Sequence, residues 1–497
     1  MNAPEILAGA PVTDLPDGHF IDGAFTKGAS GALMDSYDPG RGSVFARFTN
    51  GTEADVDQAV ESARIAFQSW ARTPAVERAT ILSNAARLLR ESAEQIAIVE
   101  TLDCGKPLNE ALADVRGAAR TFDYYAGATD KLQGDTFPLP HGYLGYSVFE
   151  PVGVTAHIIP WNFPISTAAR GIAPALAAGC TVVAKPAEQT PFSALLLADL
   201  LTKAGLPAGV CNVVTGVGAN VGAPLVAHKD VDQITFTGSV TTGQHVMRSA
   251  ADNVTRLVLE LGGKSPVIVL DDCDEQAAID GVLGAIFENA GQVCSAGSRL
   301  VIEKGIHDRF IEQLVARTKR LTLGHGLRDP QVGPVNSVQH LAKIAGFIDR
   351  ARGRGAEVLT GGAITTDPET GQGWFYEPTI VADRPCDDEL VQEEIFGPVL
   401  TVQVAEDREH ALALANNTQF GLVAGVYTSD VSTALQMARD IDAGQIYINE
   451  YFAGGIEVPF GGNKLSGFGR EKGLEGLKSY CKVKSVAARI GAIAKSW

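Results

Sequence analysis

Seven cysteines, at positions 104, 180, 211, 273, 294, 386 and 481, are the first residues in this chain to ask for a chemical account. Their spacing rules out most of what cysteines do in groups. No CxxC pair occurs and no HExxH or comparable histidine cluster accompanies them, so no zinc site can be built from them. An odd number spread this thinly reads as reduced thiols in a reducing compartment. The default reading of each is a small buried apolar residue. Cys294 stands apart, because Asn289-Ala290-Gly291-Gln292-Val293-Cys294-Ser295 sets it in a turn of small residues between a helix and a strand. A thiolate held there is a nucleophile for an electrophilic carbon.

Glycine clusters are the second chemical signal. GVGANVG (Gly216 to Gly222) follows a strand pattern, but its GxGxxxG spacing is one residue too long for the usual dinucleotide fingerprint. Gly467, Gly469 and Gly473 repeat the near miss, and turn glycines are the plainer reading of both. Gly238-Ser239-Val240-Thr241-Thr242-Gly243 follows the run QITFT and opens a helical segment, where free backbone amides can receive a phosphate.

The elements that must position these residues can be read from periodicity. Residues 53–128 read as helical; from Ala79 to Leu102 the residues Ile81, Leu82, Ala85, Leu88, Leu89, Ile96 and Ile98 keep an apolar stripe at helical spacing. From Val152 onward β-branched runs alternate with helices such as Ser193–Ala204 and Thr241–Ala251. The runs end at Ile159, Lys185, Val214, Thr237 and Leu261. Strands alternating with helices imply βαβ units and a parallel sheet covered on both faces. A second series, Pro266–Leu270, Arg299–Glu303, Pro398–Val404 and Gln445–Asn449, predicts a second α/β domain. Leu132–Phe149 and Tyr480–Trp497 belong to neither series; both could supply edge strands to a neighbouring subunit, and the chain end reads equally well as a flexible tail.

Composition bounds the rest. A length of 497 residues is a prior for about three domains. Apolar residues at 45% and charged residues at 20% exclude a disordered or fibrous chain. With 58 acidic against 41 basic residues the net charge is −17, which argues against nucleic acid or an anionic membrane as partner. The uncharged run Pro151 to Ala169 holds Pro151, Pro160, Pro164, His157 and Asn162, so it reads as strand, tight turn and helix start rather than a membrane span. The first residues carry no basic n-region, and a soluble, cytoplasmic protein is expected.

Seven blocks occur in order along the chain: IIPWNFP (Ile158 to Pro164), KPAEQTP (Lys185 to Pro191), FTGS (Phe236 to Ser239), LELGGKSP (Leu259 to Pro266), GQVC (Gly291 to Cys294), EEIFGPV (Glu393 to Val399) and PFGGNKLSGFGRE (Pro459 to Glu471). In this order and spacing they resemble the NAD(P)-dependent aldehyde dehydrogenase superfamily, from about residue 20 to the C-terminus. The resemblance implies a fold with a Rossmann-type nucleotide-binding domain over 1–128 and 152–262. It further implies an α/β catalytic domain over 263–462 and a small β oligomerisation element from 129–151 and 480–497. A homodimer or homotetramer would follow, acting on a small-molecule aldehyde and holding no metal.

Residue roles follow from the same resemblance. Cys294 matches the nucleophile that forms a thiohemiacetal and then a thioester. Asn162 matches the oxyanion-hole asparagine, working with the backbone N–H of Cys294. Glu260 matches the base that activates the deacylating water, and relatives that pass the acyl group to coenzyme A generally lack it. Retention of Cys294, Asn162, Glu260 and Lys185 also speaks against a non-catalytic scaffold. Lys185 and Glu188 match the contacts to the adenosine ribose, where a carboxylate accepts from a free 2′-OH and repels a 2′-phosphate, favouring NAD over NADP. Ser239, with Phe236 and Gly238 before it, matches the pyrophosphate contact. Glu394 and Phe396 match the residues holding the nicotinamide ribose and ring. Ile158, Ile159, Pro160, Trp161 and Leu261 are expected along the nucleotide cleft.

Phe163, Thr167, Arg170, Glu288, Val293, Ser295 and Phe460 match positions lining the aldehyde tunnel in relatives. Arg170 stands where many relatives carry a tryptophan. Semialdehyde dehydrogenases that bind a carboxylate often have arginine there, and so do some relatives acting on aromatic aldehydes. Two substrate classes therefore stay open, a carboxylate-bearing semialdehyde and a neutral or aromatic aldehyde. Glu288 departs from the succinic semialdehyde group, which has a second arginine there, and an Arg170–Glu288 pair is one expected arrangement.

Overall fold

The protein is described from a computed structural model covering residues 2–9, 12–13 and 15–491, so the expected tail element extends beyond the described residues at 492–497. Two sheets organise it. The first has eight strands in the spatial order Ala24–Thr26, His19–Ile21, Cys211–Val213, Thr181–Pro186, Val154–Ile159, Gln233–Thr237, Arg256–Glu260 and Gly467–Phe468. The five from Cys211–Val213 to Arg256–Glu260 are parallel. Every residue of Thr181–Pro186 and Gln233–Thr237 is buried, as a sheet with apolar helices on both faces demands.

The second sheet runs Val358–Thr360, Thr379–Val381, Val399–Ala405, Arg299–Glu303, Pro266–Val269, Val423–Tyr427 and Gln445–Ile448. All its pairings are parallel except the first. Each sheet is sandwiched between separate apolar clusters on its two faces. The strands at Val423–Tyr427, Thr379–Val381 and Val358–Thr360 were not expected from periodicity. The first carries Gly425 at its centre, and the other two are only three residues long.

The helical stretch 53–128 is four helices, Glu53–Trp70, Ala75–Glu91, Ala93–Cys104 and Leu108–Ala126. The continuous helix expected over Ala79–Leu102 breaks at Ser92, whose φ of −100° and ψ of 9° leave the helical region. The two segments expected at an edge pair with each other: Tyr143–Pro151 lies antiparallel to Cys481–Arg489, with Thr136–Phe137 on its far side. GVGANVG forms one wide turn, Gly218–Gly222, leading into the short helix Ala223–Ala227. No helix among the described residues is long and apolar enough to cross a membrane.

Strand order fixes where a ligand fits. From Val154–Ile159 the chain steps outward through Thr181–Pro186 to Cys211–Val213, then returns to Gln233–Thr237 on the opposite side. The reversal opens a crevice at the carboxyl ends of Val154–Ile159 and Gln233–Thr237. A buried ionic knot braces the loop leaving Ile159. Lys106, 1% exposed, binds Glu100 and Asp114 and sits 4.1 Å over the Phe163 ring. Glu100 in turn accepts from the Ile165 N–H at 3.1 Å and the Ser193 hydroxyl at 2.8 Å. Lys106→Met strips this knot of its cation and should cost roughly 3–5 kcal/mol of stability, read as a lower denaturant midpoint. An unchanged midpoint would show that Phe163 and the helix after it are held by packing alone.

Candidate active site

Asn162 sits in a loop bracketed by prolines. Pro160 closes the strand side, and Pro164 opens the helix Pro164–Ala178, where its fixed φ and missing N–H cost nothing. The loop is tied to the Cys294 turn by reciprocal bonds. The Asn162 side-chain amide donates to the Gln292 carbonyl at 2.8 Å, and the Asn289 amide donates to the Asn162 carbonyl at 3.0 Å. The turn itself is strained: Asn289 and Ala290 have φ of 47° and 53°, followed by Gly291 at 71°. Non-glycine residues in that region cost about 1–3 kcal/mol each. Glu110 holds the Asn289 N–H at 2.9 Å, and the Gln292 side chain bonds Asn336 and the Asn289 carbonyl. A Cβ on Gly291 would fall 2.2 Å from the Gly397 carbonyl, so glycine is required there.

Cys294 comes from the amino end of the second sheet, ahead of Arg299–Glu303. Glu260 ends the strand Arg256–Glu260 of the first. Both line one cleft of about 480 Å³ between the sheets, together with Asn162. Burial pushes the Cys294 thiol up to about 11, against the opposing pull of Arg170. Glu260 is 2% exposed, and neither carboxylate oxygen has a hydrogen-bond partner among the described residues. Burial, then the nearby Glu471, raises its pKa well above the usual carboxylate range.

Every residue expected to hold the dinucleotide lines the same cleft. Lys185 donates to Glu188 at 2.9 Å at one end. Ser239 caps the helix Val240–Asn253, accepting from the Thr242 N–H at 3.3 Å, and that helix has no acidic residue in its first turn to repel an anion. At the other end Glu394 accepts the Gly263 N–H at 2.9 Å, and burial raises its pKa to about 7. Trp161, His340 and Phe396 meet edge to face, with centroids 5.3–5.9 Å apart. Burial lowers His340 to about 4, so its neutral ring donates from Nε2 to the Phe396 carbonyl at 2.6 Å. His340 and Lys343 line the cleft although no sequence signal marked them.

The expected tunnel set divides. Phe163, Thr167 and Arg170 line the cleft. Val293, Ser295 and Phe460 are buried beside it, with Ser295 offering its carbonyl to the Tyr451 hydroxyl at 2.9 Å. Tyr447, Tyr451 and Phe452, which the sequence reading missed, pack ring against ring next to them. Arg170 does not pair with Glu288. It pairs with Glu471 at 2.7 Å, while its guanidinium carbon lies 5.2 Å from the Phe460 ring centroid. Glu471 lay within the block PFGGNKLSGFGRE, but nothing in the sequence indicated its partner. Glu288 opens the strained turn at the opposite end and lines a different cavity with Glu110, Asp280 and Arg317.

Burial and then Asp114 raise Glu288 from 4.5 to about 7. A folded-state pKa above the unfolded one penalises the ionised carboxylate, fully above about pH 7 and not at all below about pH 4.5. Glu288→Gln should therefore stabilise the protein on the order of 2 kcal/mol at pH 8, with the gain fading as pH falls towards 4.5. Thermal midpoints across that range measure it. A loss of stability at pH 8 would show that Glu288 has a cationic partner.

The aldehyde dehydrogenase family matches residues 25–486. The betaine aldehyde dehydrogenase of Bacillus subtilis is 42% identical over 483 residues, 96% of this chain and 98% of its own. The 4-trimethylaminobutyraldehyde dehydrogenase of Mus musculus is 41% identical over 461 residues, 92% and 93% of the two chains. A mutant of the indole-3-acetaldehyde dehydrogenase of P. syringae, solved with NAD+ and IAA, superposes with a TM-score of 0.95 at 39% identity. That match covers 98% of this chain and 99% of the other. A match over this length, converging on one cleft that holds Cys294, Asn162 and Glu260, places the chain in the aldehyde dehydrogenase family.

Proposed function

We propose that this chain oxidises an uncharged aldehyde with an aromatic or other apolar body to its carboxylic acid, using NAD and Cys294 as nucleophile. The observation that carries the substrate class is the Arg170–Glu471 pair. The one arginine lining the cleft is spent on a buried carboxylate at 2.7 Å. The aromatic side chains Phe163, Tyr447, Tyr451, Phe452 and Phe460 belong to the apolar cluster in which Cys294 packs. The indole-3-acetaldehyde enzyme among the structural relatives is named for an aldehyde of this kind. A carboxylate-bearing semialdehyde is the second reading, and the exposed 15% of the Arg170 side chain favours it.

The residues divide the work as follows. With its thiol pushed up to about 11, Cys294 is protonated at neutral pH and needs a base. Glu260 in its ionised form takes that proton as sulfur bonds to the carbonyl carbon, and its raised pKa makes it the stronger base. The charge gathering on the aldehyde oxygen is met by the Asn162 amide and the Cys294 backbone N–H. NAD in the cleft supplies the hydride acceptor. Once that proton has passed to solvent, Glu260 takes a proton from water, which adds to the thioester carbon; the C–S bond breaks and Glu260 returns its proton to the sulfur, restoring the thiol. Glu188 and Lys185 would hold the adenosine ribose, with Glu188 disfavouring a 2′-phosphate. The Ser239 helix end would take the pyrophosphate, and Glu394 and Phe396 the nicotinamide ribose and ring.

By the same reading residues 1–128 and 152–262 bind the nucleotide and residues 263–462 carry catalysis. Residues 129–151 and 480–497 join copies of the chain into a cytoplasmic homodimer or homotetramer.

A panel of aromatic, aliphatic, amino- and carboxy-aldehydes, each with NAD and NADP, tests the proposal by kcat/KM. Aromatic aldehydes with NAD should lead. A lead of tenfold or more for succinic or glutaric semialdehyde, erased in Arg170→Leu, would establish the second reading instead. Because Glu260 takes both the thiol proton and the water proton, Glu260→Gln should turn over more slowly by a factor on the order of 10²–10⁴, with its NADH burst slowed as well as its steady state. A steady-state rate equal to wild type would remove Glu260 from catalysis.

A further inference from the structure

Four charged side chains gather near Cys294, two of them, Arg170 and Glu260, lining its cleft. Arg170 projects from the helix Pro164–Ala178, Glu260 from the strand Arg256–Glu260, and Glu471 and Lys472 from the segment leading into the helix Gly473–Ser479. Phe460 and Glu471 are locked by two backbone bonds of 2.8 Å, which fixes Glu471 against Arg170. The Arg170 guanidinium and the Lys472 ammonium each lie 5.2 Å from the Phe460 ring centroid. Arg170 Nε is buried with no hydrogen-bond partner among the described residues. The backbone is moulded to this cluster, since a Cβ on Gly461 would come within 2.7 Å of Glu260 Oε1 and 2.9 Å of Arg470 Cδ.

A buried arginine that meets Glu471 as an ion pair at 2.7 Å, with Nε and both Glu471 oxygens making no hydrogen bond among the described residues, has positive potential to spare. The side chains facing Cys294 show where that potential is needed. They are Glu260 from the first sheet, Glu394 ahead of Val399–Ala405, Tyr447 and Tyr451 at the end of the second sheet, Lys472, and Arg170. Two of the six are carboxylates that oppose a thiolate. Lys472 is lowered to about 8 by burial and then by Arg170, so it loses its charge as pH rises through 8 and leaves Arg170 as the lasting cation at pH 9. Arg170 stays charged: burial works against it, but Glu471, Cys294 and Glu260 hold its pKa above the ordinary value.

We propose that Arg170 is a positioning residue for the Cys294–Glu260 proton exchange, with its guanidinium fixed by Glu471 and stacked on Phe460 so that its field favours the thiolate. In that exchange the S–H bond breaks, the proton becomes an O–H on Glu260, and the new sulfur charge faces the arginine. The role rests on Cys294 being the nucleophile and is independent of which aldehyde enters.

The test is the rate of Cys294 alkylation by iodoacetamide, an uncharged reagent, between pH 7 and 10 on the full chain without NAD or aldehyde. Peptide mapping assigns the modified thiol. The thiolate fraction falls tenfold for each unit of pKa rise, so Arg170→Gln should alkylate roughly tenfold more slowly at pH 9. Arg170→Lys, which keeps the charge, should stay within about threefold of wild type. The double variant Arg170→Gln/Glu471→Gln removes both members of the buried pair, so neither is left without the other, and should fold if the single variant does not. It too should be slower than wild type. Wild-type rates in either folded Arg170→Gln protein would overturn the role. So would an equal slowing in Arg170→Lys, which would mark a loss of shape rather than of charge. If mapping found the rapidly alkylated thiol elsewhere, the assignment of Cys294 would fall instead, so the two failures are distinguishable.

Discussion

The hydrogen bond from the Asn162 amide to the Gln292 carbonyl, with the Asn289 amide returning to the Asn162 carbonyl, is the contact on which the site depends. The two loops come from different sheets, one at the carboxyl end of Val154–Ile159 and the other at the amino end of Arg299–Glu303. Neither sheet alone contains an electrophile site. The bonds between the loops convert two independently packed layers into one cleft, and they hold two non-glycine residues in left-handed geometry. That strain is met by Glu110, Asn336 and the Gln292 side chain, so the nucleophile turn is stabilised mainly by residues outside it.

Burial of charge is the second theme. Around the loops lie Glu100, Lys106, Asp114 and Glu110 on one side, and Glu260, Arg170, Glu471 and Glu394 on the other. Ion pairs of this kind add little net stability, because desolvation consumes most of the attraction. Their effect is positional: Lys106 fixes Phe163 and, through Glu100, the start of the helix that carries Arg170. Where burial outweighs the nearby cations the structure leaves a carboxylate prone to protonation, as with Glu260 and Glu288.

Much of this was legible in the sequence, for reasons that differ by element. The parallel strands were readable because sheets covered on both faces force unbroken β-branched runs such as TVVAKP, buried at every position. Val423–Tyr427 was not, since a central glycine removes that signature. The stripe from Ala79 to Leu102 continues across Ser92 without a break in polarity, so only backbone angles reveal the two helices. Motif blocks put Cys294, Asn162, Glu260 and the nucleotide-facing residues in one cleft. They could not supply side-chain direction, and that is why Glu288 faces another cavity and why the partner of Arg170 proved to be Glu471. A pairing between residues so distant along the chain leaves no periodic trace.

The burial that pushes the Cys294 thiol up to about 11 has a consequence for the chemical lifetime of the protein. Peroxides and disulfides attack thiolates, and a thiol ionised only in a trace at neutral pH is a poor target for either. On the mechanism proposed above, the cleft stores its sulfur in an inert form and releases the reactive form only as a proton moves to Glu260. Durability against oxidation and nucleophilic strength, which compete in an exposed low-pKa cysteine, are here separated in time.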